Sequence, residues 1–288
     1  MTNATDYFDM SAAPMRIGRV TLKVLDLDKV SDFYQHVMGL IVLAKEGRRV
    51  VLGNGSAPLL VLEEASGAAP SDRHQAGLFH TAFLLPTRAD LARWLRHVAD
   101  ARVPLQGASD HIVSEALYLA DPEGNGIEVY IDRPVPAWLD AKGEIQMTTD
   151  PLDVQDLLAA GVGTAWNGFP ENGSIGHVHM RVGDTAEADR FYRDVLGFKV
   201  TVDYPGASFY GSGGYHHQFA GNIWSSRGAS PRADGAAGLD AVEIIVREAT
   251  EMDAVAARAK AAGLKSELDD DGTTTLRDPW GTSIKLRT

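Results

Sequence analysis

The chain has 288 residues, 44% hydrophobic and 23% charged, which is enough for two ordinary globular domains with a real core. Its formal net charge of −12 argues against nucleic acid or an anionic membrane surface as the main partner. With no cysteine, disulfides, thiolate-zinc sites, iron–sulfur clusters and cysteine nucleophiles are excluded, so any metal must be held by His, Asp or Glu.

The opening stretch, "MTNATDYFDMSAAPM", lacks both a basic start and an apolar run, so it does not read as a signal peptide. No apolar run reaches membrane-spanning length, and the expected location is the cytoplasm. From Arg16, residues Val20, Leu22 and Val24 alternate with Thr21, Lys23 and Leu25, the period of a strand. Asp28–Met38 has helical spacing, with Gly39 as its stop. Further strands carry this first segment to Glu64. A second segment opens on the strand "GLFHTAFLLP", continues into a helix capped by Thr87 with Asp90 three residues on, and closes on a strand over Tyr118–Ile131. Residues 175–223 and 238–287 repeat this plan, giving four βαβββ modules. The Pro- and Gly-rich stretch between the halves fits neither plan and reads as a linker with one short helix after Pro151. The expected division is a first domain at 1–135 (modules 16–64 and 77–132), a linker at 136–174 and a second domain at 175–288.

The halves are tandem copies. Phe33 matches Phe191, Gly39 matches Gly197 and Arg19 matches His177, each pair 158 positions apart. The closing strands match as well: both carry Asp-Pro-x-Gly-x-x-Ile, at Asp121 and at Asp278. At one matched position, however, the first copy has Glu128 and the second has Lys285. The first is an anionic oxygen donor. A protonated lysine cannot bind a metal.

Four such modules, with Gly176-His177 opening a strand and Asp-Pro-x-Gly-x-x-x-Glu in a last strand, resemble the vicinal oxygen chelate superfamily. That superfamily includes glyoxalase I, antibiotic-resistance binding proteins and extradiol ring-cleaving dioxygenases. The resemblance covers nearly the whole chain outside the linker. It implies an α+β fold in which paired modules close cupped, barrel-like sheets in tandem. It also implies a metal held by the first strands of two modules and by one last strand. The matching positions are Arg19, His80, His177 and Ala241 on first strands, and Glu128 and Lys285 on last strands. Joining sequence neighbours leaves both cups short of ligands. Joining modules two and three collects His80, His177 and Glu128, a set with two histidines and one carboxylate that leaves open positions on a non-haem iron. Modules one and four would then form a metal-free cup. A lone strand histidine is more often a core or surface residue, but here three donors fall together at motif positions while the other cup loses all of its own. His179, two residues from His177, shares its face and stays open as the alternative ligand.

"HIVSEALYLADPEGNGIE", from His111 to Glu128, closely resembles the extradiol dioxygenase signature; Ser109 departs from it just outside the chemical residues. By this resemblance Tyr118 would hydrogen-bond a substrate oxygen and His111 would stand near the substrate. Such enzymes also place an acid–base histidine near the last strand of a ligand-bearing module, which points to His216 or His217. Adjacent strand residues face opposite ways, so one of the two enters the cavity; the sequence does not say which, and His217 is the first choice. Phe79, Phe83, Phe219 and Trp224 are candidate walls for an aromatic ring. The resemblance is strongest to two-domain bacterial catechol 2,3-dioxygenases. It implies Fe(II), or Mn(II) on the same ligands, acting on a small aromatic diol and O₂. The rivals are a glyoxalase-type metal-dependent isomerase or lyase, which usually wants two carboxylates, and a non-enzymatic protein binding small molecules or drugs. A homo-oligomer stays open.

Overall fold

The computed structural model describes residues 6–233 and 235–288; the first five residues of the opening stretch lie outside it. Module one runs β1 (Met15–Val24), α1 (Leu27–His36), β2 (Ile41–Glu46), β3 (Arg49–Gly53) and β4 (Pro58–Glu64). Module two runs β5 (Gly77–Leu84), α2 (Arg88–Asp100), β6 (Gly107–Asp110), β7 (Ser114–Ala120) and β8 (Gly126–Asp132). The intervening stretch adds a two-residue strand, β9 (Asp150–Pro151), and α3 (Val154–Ala159). Module three runs β10 (Ser174–Arg181), α4 (Thr185–Asp189) continued by a π-helical turn (Arg190–Val195), β11 (Lys199–Tyr204), β12 (Ala207–Gly211) and β13 (Phe219–Asn222). Module four runs β14 (Gly238–Val246), α5 (Ala249–Ala261), β15 (Glu267–Leu268), β16 (Thr274–Arg277) and β17 (Ser283–Arg287).

Local chemistry sets the helix ends. The Asp26 side chain accepts from the amide of Lys29 to cap α1, and Gly39 takes φ +74° just after the helix. Thr87 accepts from the Asp90 amide while its hydroxyl donates to the Asp90 carboxylate, so both ends of the first turn of α2 are tied. Leu91, Trp94, Leu95 and Val98 form the buried stripe of α2, and the Trp94 indole donates to the Val37 carbonyl at 2.9 Å.

The strands form two curled sheets, and each draws on both halves of the sequence. One has the order β15-β16-β17-β14-β1-β4-β3-β2, joining modules one and four. The other has the order β11-β12-β13-β10-β5-β8-β7-β6-β9, joining modules two and three. In each sheet the first strands of the two modules meet antiparallel at the centre, β1 with β14 and β10 with β5. The stretch between the halves is more than a tether: β9 extends the second sheet beyond β6, and Asp156 of α3 pairs with Arg88 at 2.7 Å.

Period-two alternation sorts side chains onto the two faces of the second sheet. Phe83, Leu117, Ile127, Val129, Val178 and Met180 point away from the cup into one apolar core that also holds Val20, Leu22 and Val242 of the first sheet. Full burial of a side chain such as Phe83 contributes roughly 2–3 kcal/mol. The repeated Phe-Tyr of the helices ties module to module. Tyr192 donates to Asp278 at 3.1 Å, and the buried Tyr34 is likewise hydrogen-bonded to Asp121. Those aspartates also organise their own turns: Asp121 accepts from the amides of Glu123 and Asn125, and Asp278 from those of Trp280 and Thr282. Among the described residues no helix is long and apolar enough to cross a membrane.

Candidate metal centre

The residues that alternate with the core face line the concave side of the second sheet. On β5 these are His80 and Ala82, on β7 Tyr118, on β8 Glu128 and Tyr130, and on β10 His177 and His179. The antiparallel centre sets His179 opposite His80, and the parallel pairing sets Ala82 beside Glu128. Gly176 has a steric reason to precede His177: a Cβ there would lie 1.7 Å from the hydroxyl of Tyr130.

Three donor atoms meet at the base of this cup. His80 Nε2 lies 2.9 Å from Glu128 Oε2, His177 Nε2 lies 3.1 Å from the same oxygen, and the two Nε2 atoms are 3.3 Å apart. All three residues are buried, and they are the group of metal-capable side chains found among the described residues. Ligands at right angles, each ~2.1 Å from one divalent ion, would stand about 3 Å apart, so the set fits a three-point metal site. Burial acts to raise the Glu128 carboxyl, but His177 and His80 outweigh it and hold it well below the usual carboxylate range. Burial likewise lowers His177 to about 4, against the pull of Glu128. An ionised carboxylate and a neutral imidazole at neutral pH are the forms that ligate metals. His177 Nδ1 is buried without a hydrogen-bond partner, so its ring is held by packing against Tyr130 and His217.

Around the cluster lies a cavity of about 350 Å³, whose lining includes Tyr118, His111, His179 and His217. His179 is not part of the donor set; its Nε2 faces Asn222 Nδ2 at 3.0 Å. The Tyr118 hydroxyl donates to His111 Nε2 at 2.6 Å, and His111 Nδ1 donates to the Thr148 carbonyl at 2.5 Å. Burial first, and Glu128 second, push the Tyr118 phenol well above its ordinary value, so it keeps its proton. Of the adjacent histidines, His217 lines the cavity. His216 is fully buried behind it, 2.8 Å from Asp132.

The four aromatic residues expected as walls divide. Phe79 and Trp224 line the cavity, 5.6 Å apart between ring centres. Phe83 and Phe219 do not: both are fully buried in the apolar core, because they fall on the opposite phase of β5 and β13. Phe79 escapes that phase because the pairing of β5 with β10 slips between His80 and Leu78, leaving it as the extra residue of a bulge. Met147 and Thr148 of the stretch between the halves, and Phe209 of β12, also line it; their sequence carries no motif that could have marked them.

The first sheet carries no such cluster among its described residues. At the position of His177 it has Arg19, whose guanidinium pairs at 2.8 Å with Glu243, the residue that takes the place of Ala82. Arg287 approaches the same carboxylate at 3.9 Å, and Lys285 stands beside Glu243 in register.

The profile of the Glyoxalase/Bleomycin resistance protein/Dioxygenase superfamily matches residues 16–129 and 174–286. A catechol-2,3-dioxygenase of Bacillus subtilis (strain 168) is 40% identical over 268 residues, spanning 91% of this chain and 93% of that protein. Biphenyl-2,3-diol 1,2-dioxygenase 3 of Rhodococcus globerulus is 32% identical over 170 residues, 53% of this chain and 86% of that protein. Among solved structures, glyoxalase I from Zea mays shares the fold, with a TM-score of 0.58 at 18% identity over 96% of this chain and 93% of that one. The chain belongs to the Glyoxalase/Bleomycin resistance protein/Dioxygenase superfamily, and it sits among that superfamily's dioxygenases.

Proposed function

We propose that this protein is an extradiol-type dioxygenase that opens a catechol-like ring with O₂, using Fe(II), or Mn(II) in its place, on His80, His177 and Glu128. The observation that carries this reading is the convergence of two imidazole nitrogens and one carboxylate oxygen, 2.9–3.3 Å apart, at the floor of an aromatic-walled cavity. Held by His80, His177 and Glu128, such a metal would supply a Lewis acid for the diol oxygens and an electron relay between the ring and O₂.

The chain's own residues supply binding, orientation and proton handling. Phe79 and Trp224 stand where an aromatic substrate would enter, and the buried floor excludes water from the reacting atoms. His217 is the group that takes a proton from a diol hydroxyl and returns it later. Burial, followed by the neighbouring His177, keeps its imidazole well below its ordinary value and so neutral and ready to accept. Tyr118, already donating to His111, turns its oxygen lone pairs toward a substrate hydroxyl. The 40% identical relative named catechol-2,3-dioxygenase supports the same reading.

A glyoxalase-type reaction would want a second carboxylate in the set, and among the described residues none joins the cluster. The test is anaerobic removal of metal, reconstitution with Fe(II) or Mn(II), and oxygen uptake with catechol. Metal-dependent uptake is expected, with about one ion per chain. Oxygen consumption unaffected by metal removal, or none with any metal and diol tried, would overturn the reading.

A further inference from the structure

Behind His217 runs a buried hydrogen-bonded chain that the proposed reaction does not itself require. β8 carries Glu128 at the donor cluster and, on the same face, Tyr130 and then Asp132. Asp132 Oδ1 lies 2.8 Å from His216 Nε2, and His216 Nδ1 lies 2.9 Å from His217 Nδ1. The His216 ring is fully buried against Tyr215 and Trp138, with ring centres 4.0 and 5.0 Å away. The loop that bears the pair is pinned as well. Gln218 accepts from the Ser212 amide at 2.6 Å and donates to the Met15 carbonyl at 3.1 Å, while Thr201 donates to the His216 carbonyl at 2.5 Å.

The donors and acceptors along this chain can be ordered from one end. A carboxylate only accepts, so Asp132 requires the proton of His216 on Nε2. With that single ring proton on Nε2, His216 presents a bare Nδ1, to which the Nδ1 of His217 donates. That leaves His217 Nε2 without a proton, on the ring that lines the cavity. Tyr215 donates to the same Asp132 oxygen at 3.1 Å, with Tyr130 2.7 Å behind it, so the carboxylate is held from a second direction.

We infer that Asp132 and His216 are positioning residues: through two hydrogen bonds they fix the tautomer and orientation of His217, so that an unprotonated Nε2 faces the substrate. The inference deepens the proposed function and rests on its reading of His217 as the proton acceptor. The arrangement follows the logic by which a buried carboxylate sets a catalytic imidazole in serine proteases, with one more imidazole between them.

Two readouts test it. The first is ¹⁵N NMR of histidine-labelled, metal-free protein, with the His217 signals assigned by their loss in His217→Ala. Wild type should show Nδ1 protonated and Nε2 bare, and Asp132→Asn, whose amide can donate to His216, should shift His217 toward the opposite tautomer. The second is steady-state oxygen uptake by the metal-loaded enzyme. Asp132→Asn should lower kcat by ~10²–10⁴-fold, as loss of a correctly held acid–base group does, with KM changed less than about threefold. His216→Asn, whose amide oxygen falls near the former Nδ1, should retain more activity than His216→Leu; this rescue carries the test if Asp132→Asn does not fold. A wild-type His217 protonated on Nε2, an Asp132→Asn enzyme with unchanged kcat, or equal activity of the two His216 variants would each overturn the inference. If wild type shows no diol-dependent uptake at all, the dioxygenase reading fails, and the tautomer measurement still decides this one.

Discussion

The two cups are built on one plan and differ at a handful of concave positions. Both have two first strands meeting antiparallel at the centre, both end in a strand after an Asp-Pro-x-Gly turn, and both turns are tied to a helix tyrosine. Where one cup has His177, His80, Glu128 and Ala82, the other has Arg19, Ala241, Lys285 and Glu243. The Arg19–Glu243 pair sets a guanidinium that is 29% exposed against a buried carboxylate. It fills a space without needing an ion. The histidine cup is the opposite case: it buries a carboxylate and two imidazoles at contact distance, an arrangement that stability alone does not call for and that a divalent ion would reward. What the copies share holds the fold, and what they do not share is the set of donor atoms.

The strongest way to break this comparison is Glu128→Ala. Removing the sole carboxylate of the donor set should reduce bound metal and oxygen uptake to background, read by metal analysis and an oxygen electrode. A variant that keeps its metal would place the ion elsewhere. Next come Tyr118→Phe and His217→Ala, each expected to retain metal while losing ~10²–10⁴-fold in turnover, as groups that handle protons and orient substrate do. Loss of metal in either would move that residue into the ligand set.

A matched pair of glycines sharpens the structural side. Gly176 and Gly18 occupy equivalent positions, one before His177 and one before Arg19. A Cβ at Gly176 would meet the packed Tyr130 hydroxyl at 1.7 Å, whereas at Gly18 it would meet the movable end of Glu243 at 2.8 Å. Gly176→Ala should therefore cost ~1–3 kcal/mol of stability, and Gly18→Ala less, measured as shifts in denaturant midpoint. Equal costs would mean that Tyr130 yields as easily as Glu243. The smallest effect belongs to Lys285→Ala, the counterpart of Glu128: metal content and turnover should stay as in wild type. A drop in either would show that the charged cup takes part in the reaction.

Much of this was written in the sequence because it depends on local or periodic patterns. The four modules follow from strand alternation, helix caps such as Asp26 and Thr87, and a repeat offset of 158 residues. At the ligand positions that the resemblance implies, counting donors picks out His80, Glu128 and His177, three side chains that the fold does bring together. Between His177 and His179 the sequence favours His177, which follows Gly176, and between His217 and His216 it leans to His217, but it fixes neither. Residues two apart share a face, and loop neighbours can point either way, so only the neighbours in space, Asn222 and Asp132, separate them. Phe83 and Phe219 looked as suitable for the wall as Phe79 because composition carries no phase; the bulge in β5 brings Phe79 into the cavity, and unbroken alternation sends the other two to the core. The chain Asp132–His216–His217 joins residues 84 positions apart across two modules. No local pattern encodes such a meeting, because strand order is set by which apolar faces can be buried together, and that is a property of the whole fold.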